Sequence, residues 1–100
     1  MDYNKIIGNI VFDKDLTEIG KIVRIDRLPH ILTKKIVPHI VIQVKIGWIK
    51  RLNIIFDIGE IERVENGNVW LKINHEIFKE RLDREILLFE ERRQYRKSKK

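Results

Sequence analysis

The sequence predicts an all-β domain, a small and highly bent β-barrel, followed by one C-terminal α-helix. Short β-rich runs separated by turn residues fill residues 1–73. The apolar spacing then changes from two residues to about 3.6, which indicates an amphipathic helix over 74–91. Gly8 and Gly20 stand where a tightly curled sheet needs a bulge or a close approach between backbones. The remaining residues, 92–100, form a basic tail that we expect to be disordered.

The first predicted element of the barrel is a β-hairpin. The β-rich runs Ile10–Phe12 and 19–25 flank a polar cluster, a composition typical of a turn. Beyond this hairpin, Pro29 and Pro38 each remove a backbone donor and disfavour helix at the preceding residue. We therefore expect the longest irregular segment of the chain at 27–39.

The middle of the chain predicts two further strands. Apolar side chains alternate over 40–46, which is typical of a half-buried strand with one face formed by Ile40, Ile42, Val44 and Ile46. A turn at Gly47 and Trp48 leads into another β-rich run at 49–56. A bend or bulge around Gly59 is expected before the next strand.

The last hairpin of the barrel is predicted by the pair Asn66-Gly67. A type I′ turn needs positive φ at both central positions, and these two residue types tolerate it best. Closing the turn at this point pairs Val64 with Val69 and places Arg63 opposite Trp70. We expect the last two side chains to stack on the face away from the core.

The C-terminal helix is predicted to begin at Asn74, its N-cap, with Ile73 packed on Phe78 as a hydrophobic staple. Its last turns are apolar most of the way round, because Leu87 points nearly opposite the Phe78 stripe at about 100° per residue. One small barrel cannot cover both sides of such a helix. We therefore expect the helix to pair with another copy or another protein, through Phe78, Leu82, Ile86, Leu87, Leu88 and Phe89. The alternative is that it folds back and plugs an open end of the barrel.

The net charge of +6 belongs to the tail, since the basic and acidic side chains of residues 1–91 balance. A nucleic-acid-binding barrel is therefore not indicated by charge. Three interpretations of the tail stay open: it binds RNA phosphates, it binds anionic lipid, or it has no partner beyond solvent. Its basic residues are Arg92, Arg93, Arg96, Lys97, Lys99 and Lys100.

The sequence contains no recognisable catalytic or metal-binding motif. It contains no cysteine, which excludes disulfides, thiolate metal sites and cysteine nucleophiles. His30, His39 and His75 match no metal-binding spacing, and His75 is expected to face solvent in the first helical turn. Acids such as Asp13 and Asp15 belong to turns, and no serine–histidine–aspartate arrangement is evident. We predict that the protein is not an enzyme and binds no cofactor, metal ion or small-molecule substrate.

Two other features bear on partners and on location. Trp48 lies beside Lys45, Lys50 and Arg51, a combination that suits single-stranded nucleic acid but more often packs at the rim of a barrel. No apolar run approaches the roughly 18 residues that cross a bilayer. We therefore expect a cytoplasmic protein without a membrane span.

Several loose motifs recur along the barrel region: Gly8-x-x-Val11-x-Asp13, Ile19-Gly20-Lys21-Ile22, the alternating strand at 40–46, Ile58-x-x-Ile61-x-x-Val64 and Val69-x-Leu71. Together they resemble the PRC-barrel family, named after the photosynthetic reaction centre H subunit. The resemblance implies a compact, strongly bent β-barrel without catalytic residues, of the kind found in ribosome-maturation factors and small archaeal proteins. It also implies protein binding or assembly. The family has no conserved active site whose residues could be assigned to positions of this sequence.

A second resemblance is to the small barrel subunit of pseudouridylation ribonucleoproteins, which shares Gly-x-x-Val-x-Asp followed by Ile-Gly-Lys-Val. Residues 25–29 depart from that pattern, because they lack the Phe-Gly-Pro turn expected next.

From the sequence as a whole we predict a non-catalytic interaction module that forms a homodimer through its terminal helix. The alternative is an RNA-associated accessory factor whose basic tail contacts phosphates.

Overall fold

The structure, a computed structural model, describes residues 3–48 and 50–98, with side chains as far as Arg92. The strands are β1 (Ile10–Phe12), β2 (Glu18–Pro29), β3 (Ile36–Ile46), β4 (Lys50–Asp57), β5 (Ile61–Glu65) and β6 (Asn68–Leu71). One long helix, α1, spans His75–Ser98. Short 3-10 helices at Tyr3–Ile6 and Ile58–Glu60 precede β1 and join β4 to β5. The protein is thus a strand-rich domain with one C-terminal helix, as the sequence predicted.

The six strands form a single sheet in the order β4-β3-β2-β1-β6-β5. Neighbouring strands are antiparallel, except that β1 and β6 lie parallel. The predicted first hairpin is confirmed, with a register shift between Val11 and Phe12. The last hairpin is also confirmed: Asn66 and Gly67 both have positive φ, and Arg63 pairs with Trp70.

The expectation of a closed barrel is wrong, because the sheet is open. Among the described residues, β4 and β5 are the two edges and do not pair with each other. These edges are separated in the chain by only Ile58–Glu60, so the sheet must bend strongly to bring them to one corner. The helix lies against β4 instead, where Arg81 Nη2 donates a hydrogen bond to the carbonyl of Ile55. One backbone acceptor of the edge strand β4 is thereby bonded to the helix.

The expectation of an irregular segment at 27–39 is also wrong. After a register shift between Ile22 and Arg24, β2 and β3 pair continuously from Arg24 opposite Val41 to Pro29 opposite Ile36, and only residues 30–35 connect them. The prolines are tolerated because Pro29 is the last residue of β2, and Pro38 lies where β3 extends beyond its pairing with β4. Neither position needs a second ladder hydrogen bond from the missing N–H.

The core lies on the side of the sheet that faces the start of α1. Phe78 from the helix is 3% exposed and packs with strand residues whose side chains are almost completely buried, and Leu82 lies against the same cluster. Phe78 thus fills a place in the chain's own core. The largest of its buried partners on the sheet are Phe56, Ile22, Ile40, Ile42, Ile54 and Leu71.

Two predictions about the C-terminal segment need correction. The helix does not end at residue 91 but continues to Ser98, so most of the segment expected to be disordered is helical. Arg, Lys and Gln are good helix formers, no glycine or proline stops the helix, and basic residues are favourable near its C-terminus. The side chains of Arg93, Arg96 and Lys97, together with the whole of Lys99 and Lys100, lie outside what the structure describes.

Candidate interaction surface

The start of α1 is held in place by the turn between β1 and β2. The side chain of Asn74 accepts a hydrogen bond from the Ile77 N–H at 2.8 Å, which confirms Asn74 as the N-cap. The carboxylate of Asp15 accepts from the backbone N–H of His75 at 3.0 Å. Two of the free N–H groups of the first helical turn are therefore satisfied by side-chain oxygens.

A buried carboxylate beneath this cap fixes the same junction. Asp13 is fully buried, and its Oδ1 accepts hydrogen bonds from the backbone N–H groups of Asp15 and Thr17. Its Oδ2 lies 2.8 Å from Nδ1 of His75, whose side chain is 43% exposed. We expected His75 to face solvent in the first helical turn. Instead, one nitrogen of its ring contacts the buried carboxylate. Because Asp13 and His75 are far apart in the chain, the sequence carried no direct signal of their contact.

The first half of α1 packs against the sheet of its own chain. Phe78 and Leu82, two of the six predicted interface residues, pack on the chain's own core. Arg81 lies with its guanidinium carbon 4.4 Å from the centroid of the Phe56 ring, beside the hydrogen bond to Ile55. This correction follows from burial: side chains that fill a core are not available to a partner.

The second half of α1 leaves apolar side chains in solvent. Leu87 is 56% exposed, Leu88 39% and Phe89 47%, while Ile86 is half-buried. Ile86 and Phe89 border a cleft of about 180 Å³ that is also lined by Ile46, Lys50, Arg51, Leu52 and Glu90. The remaining four predicted interface residues therefore lie on the second half of α1, with Ile86 and Phe89 at the cleft and Leu87 nearly opposite Phe89 on the helix.

Trp48 is a further exposed apolar residue near the cleft in the chain. It lies in the turn between β3 and β4, next to the cleft residues Ile46 and Lys50, and its side chain is fully exposed. The expectation that Trp48 packs at the rim of the domain is therefore wrong. Gly47 has φ +68°, a conformation that directs the chain sharply around the turn and away from the body.

We use the name apical patch for this surface, which comprises Trp48, Leu52, Ile86, Leu87, Leu88 and Phe89. Charged residues of both signs are exposed beside it in the chain, and three of them, Lys50, Arg51 and Glu90, line the cleft itself. A surface with mixed charge at its rim can face its own copy without net repulsion.

The histidines of the sheet are used in local contacts. Nε2 of His30 lies 3.0 Å from the Asp57 carboxylate, and Nδ1 of His39 lies 3.0 Å from the carbonyl of Val37. Within residues 3–48 and 50–98, no group of three or more histidine, aspartate or glutamate side chains is arranged to hold a metal ion.

In the part of the chain that the structure describes, no helix is both long enough and apolar enough to cross a membrane. The sequence matches no protein-family model, and no curated protein matches it significantly. The two family resemblances of the barrel region therefore stay predictions.

Proposed function

We propose that this protein is a non-catalytic assembly module that self-associates through the apical patch. The observation that carries the proposal is the exposure of Leu87, Leu88 and Phe89 on the second half of a helix whose first half is packed on the core. Several exposed apolar residues within one turn of a helix are typical of interaction sites. The cysteine-free composition fits a reducing compartment such as the cytoplasm.

The occupant we favour is a second copy of the chain. Two helices that cross at Leu87 and Leu88 would bury the side of α1 that the sheet leaves open. Such an isologous contact also brings Glu90 and Glu91 of one copy towards the basic side chains of the other copy, including Lys50. The resemblance to PRC-barrels, which are binding and assembly modules, agrees with this role.

The test is sedimentation analysis of the full chain over a range of concentrations. We expect a monomer–dimer equilibrium, and we expect Leu87→Glu and Leu88→Glu each to weaken it by about tenfold or more, since each buries a carboxylate at the centre of the contact. A wild-type protein that stays monomeric at every concentration would contradict the proposal.

Ile77→Glu is the matched control, because Ile77 is also an exposed apolar residue of α1 but lies in its first turn, far from the apical patch. A glutamate near the helix N-terminus is favourable, so this variant should fold normally. It should dimerise like the wild type. Equal loss of association in Ile77→Glu and Leu88→Glu would indicate a general effect of added negative charge.

A second candidate function is binding of single-stranded RNA, and it is favoured by one specific observation. The fully exposed ring of Trp48 stands beside the exposed side chains of Lys45, Lys50 and Arg51. An aromatic ring for base stacking with neighbouring cations for phosphates is the usual composition of such sites. Binding to unrelated oligonucleotides should then fall with added salt, and Trp48→Ala should weaken it by about tenfold. Binding that is unchanged by Trp48→Ala would remove this candidate.

A further inference from the structure

The most exposed large apolar side chain among the described residues is that of Trp48, in the turn between β3 and β4. An indole ring buries about 150–250 Å² when it is packed, so a ring left in water forgoes a large apolar contribution. Tryptophan is also among the residue types most enriched at the centres of protein interfaces. An indole in this position is therefore typical of a contact that forms with another molecule.

The cleft of about 180 Å³ beside this turn lies between the end of the β3–β4 hairpin and the second half of α1. Its apolar wall is formed by Ile46 and Leu52 from the strands and by Ile86 and Phe89 from the helix. A dry apolar cavity of about 150 Å³ is enough to hold a benzene molecule. The cleft therefore has room for an aromatic side chain.

The charged residues of the cleft also suit an indole. Lys50 and Arg51 supply cationic groups, which are attracted to the face of a tryptophan ring. Glu90 supplies a carboxylate, which can accept a hydrogen bond from the indole N–H. A buried tryptophan usually has such an acceptor. Apolar walls, cations for the ring face and an anion for the ring N–H together match the chemistry of this side chain.

The ring does not occupy the cleft of its own chain, because the Trp48 side chain is fully exposed. Two residues of the cleft wall, Ile46 and Lys50, nevertheless lie only two positions before and after it. A small isologous contact uses the same surface of both copies, so an inserted side chain and the cleft that receives it must lie close together. The β3–β4 turn meets this requirement, since a two-fold axis beside it places each ring at the other copy's cleft.

We propose that Trp48 of each copy inserts into the cleft of the other copy, against Leu52 and Phe89. This inference rests on the proposed self-association and names the side chain that makes it specific. The other candidate for contact with the ring is a nucleic-acid base, which would stack on one face of it. Base stacking leaves the cleft unfilled, whereas insertion buries the ring and the cleft walls together. The observations therefore favour the second copy.

The first test is sedimentation analysis of the full chain as wild type and as Trp48→Ala. We expect Trp48→Ala to raise the dissociation constant of the dimer by at least about tenfold, because a tryptophan at the centre of a contact carries much of its binding energy. Ile31→Ala is the matched control, since Ile31 is 81% exposed but lies in the connection at the other end of β3. It should leave the dissociation constant unchanged.

The second test fills the cleft from within the chain. Ile86→Trp places a ring in the space that the partner's ring needs, so it should also weaken dimerisation by at least about tenfold. Once the cleft is filled, adding Trp48→Ala should have little further effect, because both substitutions remove the same contact. Circular dichroism checks that each variant is folded. Additive effects of the two substitutions would place the ring outside the cleft and overturn the proposal.

Burial of the ring can be followed directly in a Trp70→Phe background, where Trp48 is the only tryptophan. We expect its fluorescence emission to move to shorter wavelength as the protein concentration rises through the dissociation constant of the dimer. Quenching by acrylamide should decrease over the same range. In the wild type labelled with 5-fluorotryptophan, the fluorine resonance of Trp48, assigned with Trp48→Phe, should shift with concentration in the same way.

The outcomes separate this inference from the proposed function. A wild-type protein that stays monomeric contradicts both. A dimer whose Trp48 ring stays in water, or whose dissociation constant is unchanged by Trp48→Ala, overturns the insertion and leaves self-association standing. The insertion is also overturned if burial of the ring is independent of concentration, which would place it in its own cleft. It is overturned as well if burial requires an added oligonucleotide, which would assign the ring to nucleic acid.

Discussion

The buried carboxylate of Asp13 lies 2.8 Å from Nδ1 of His75 and joins the first hairpin to the start of the helix. We expect Asp13→Ala to lower the free energy of unfolding by about 3 kcal/mol, because two backbone N–H groups and the imidazole lose their acceptor. His75→Ala should cost less, about 1 kcal/mol, since the backbone donors to Asp13 remain. Urea unfolding followed by circular dichroism measures both. Asp83→Ala, at an exposed position of the same helix, should stay within about 0.5 kcal/mol of the wild type, and an equal effect of all three would contradict this role.

The stacked pair Arg63 and Trp70 should contribute a measurable coupling energy. The guanidinium carbon lies 4.1 Å from the ring centroid, and the ring also stacks on Phe12 at 5.6 Å between centroids. In a double-mutant cycle with Arg63→Ala and Trp70→Leu, we expect about 0.5–1 kcal/mol of coupling in the free energy of unfolding. A coupling energy near zero would show that the two side chains are neighbours without a stabilising contact.

Gly20 should not tolerate a side chain. A Cβ at this position would lie 2.3 Å from the carbonyl oxygen of Gln43 and 2.8 Å from a methyl group of Ile42, so β2 and β3 would have to separate. We expect Gly20→Ala to lower the free energy of unfolding by about 2–3 kcal/mol, as in other overpacked cores. Gly59→Ala is the matched control, because its nearest neighbour is the flexible carboxylate of Asp57. That variant should lose less than about 1 kcal/mol, and an equally mild effect of Gly20→Ala would contradict the close approach.

Local chemistry made several elements predictable. Asn66 and Gly67 set the register of the last hairpin, because few residue types accept positive φ at both positions of the turn. Asn74 predicted the start of the helix, because its side-chain oxygen accepts a hydrogen bond from a backbone N–H of the first helical turn. Gly20 indicated a close backbone approach, which the structure confirms.

Features that depend on distant contacts were not predictable from local pattern. The sheet is open, and α1 contacts its edge strand β4 through the hydrogen bond from Arg81, while Phe78 packs in the core. Pro29 and Pro38 predicted an irregular segment. The sequence does not show that both lie where a strand has a hydrogen-bonded neighbour on one side only, so that the missing N–H is tolerated.

Arg81 is expected to hold the helix on the edge strand. Its Nη2 donates to the carbonyl of Ile55, and its guanidinium covers the ring of Phe56. Arg81→Met keeps most of the aliphatic contact but leaves a carbonyl of β4 without its donor, so we expect a loss of about 1–2 kcal/mol in the free energy of unfolding. Hydrogen exchange of the amides of β4 should increase in this variant, because the edge is no longer held under the helix.

Arg84→Met is the control for Arg81→Met, since Arg84 lies one turn further along α1 and is exposed. It should leave both the stability and the exchange of β4 close to those of the wild type. If Arg81→Met were equally harmless, the helix would be held on the sheet by Phe78 and Leu82 alone. The apical patch would then stand on a helix whose position is set by apolar packing, and Phe78→Ala would be the variant that displaces the helix and weakens dimerisation.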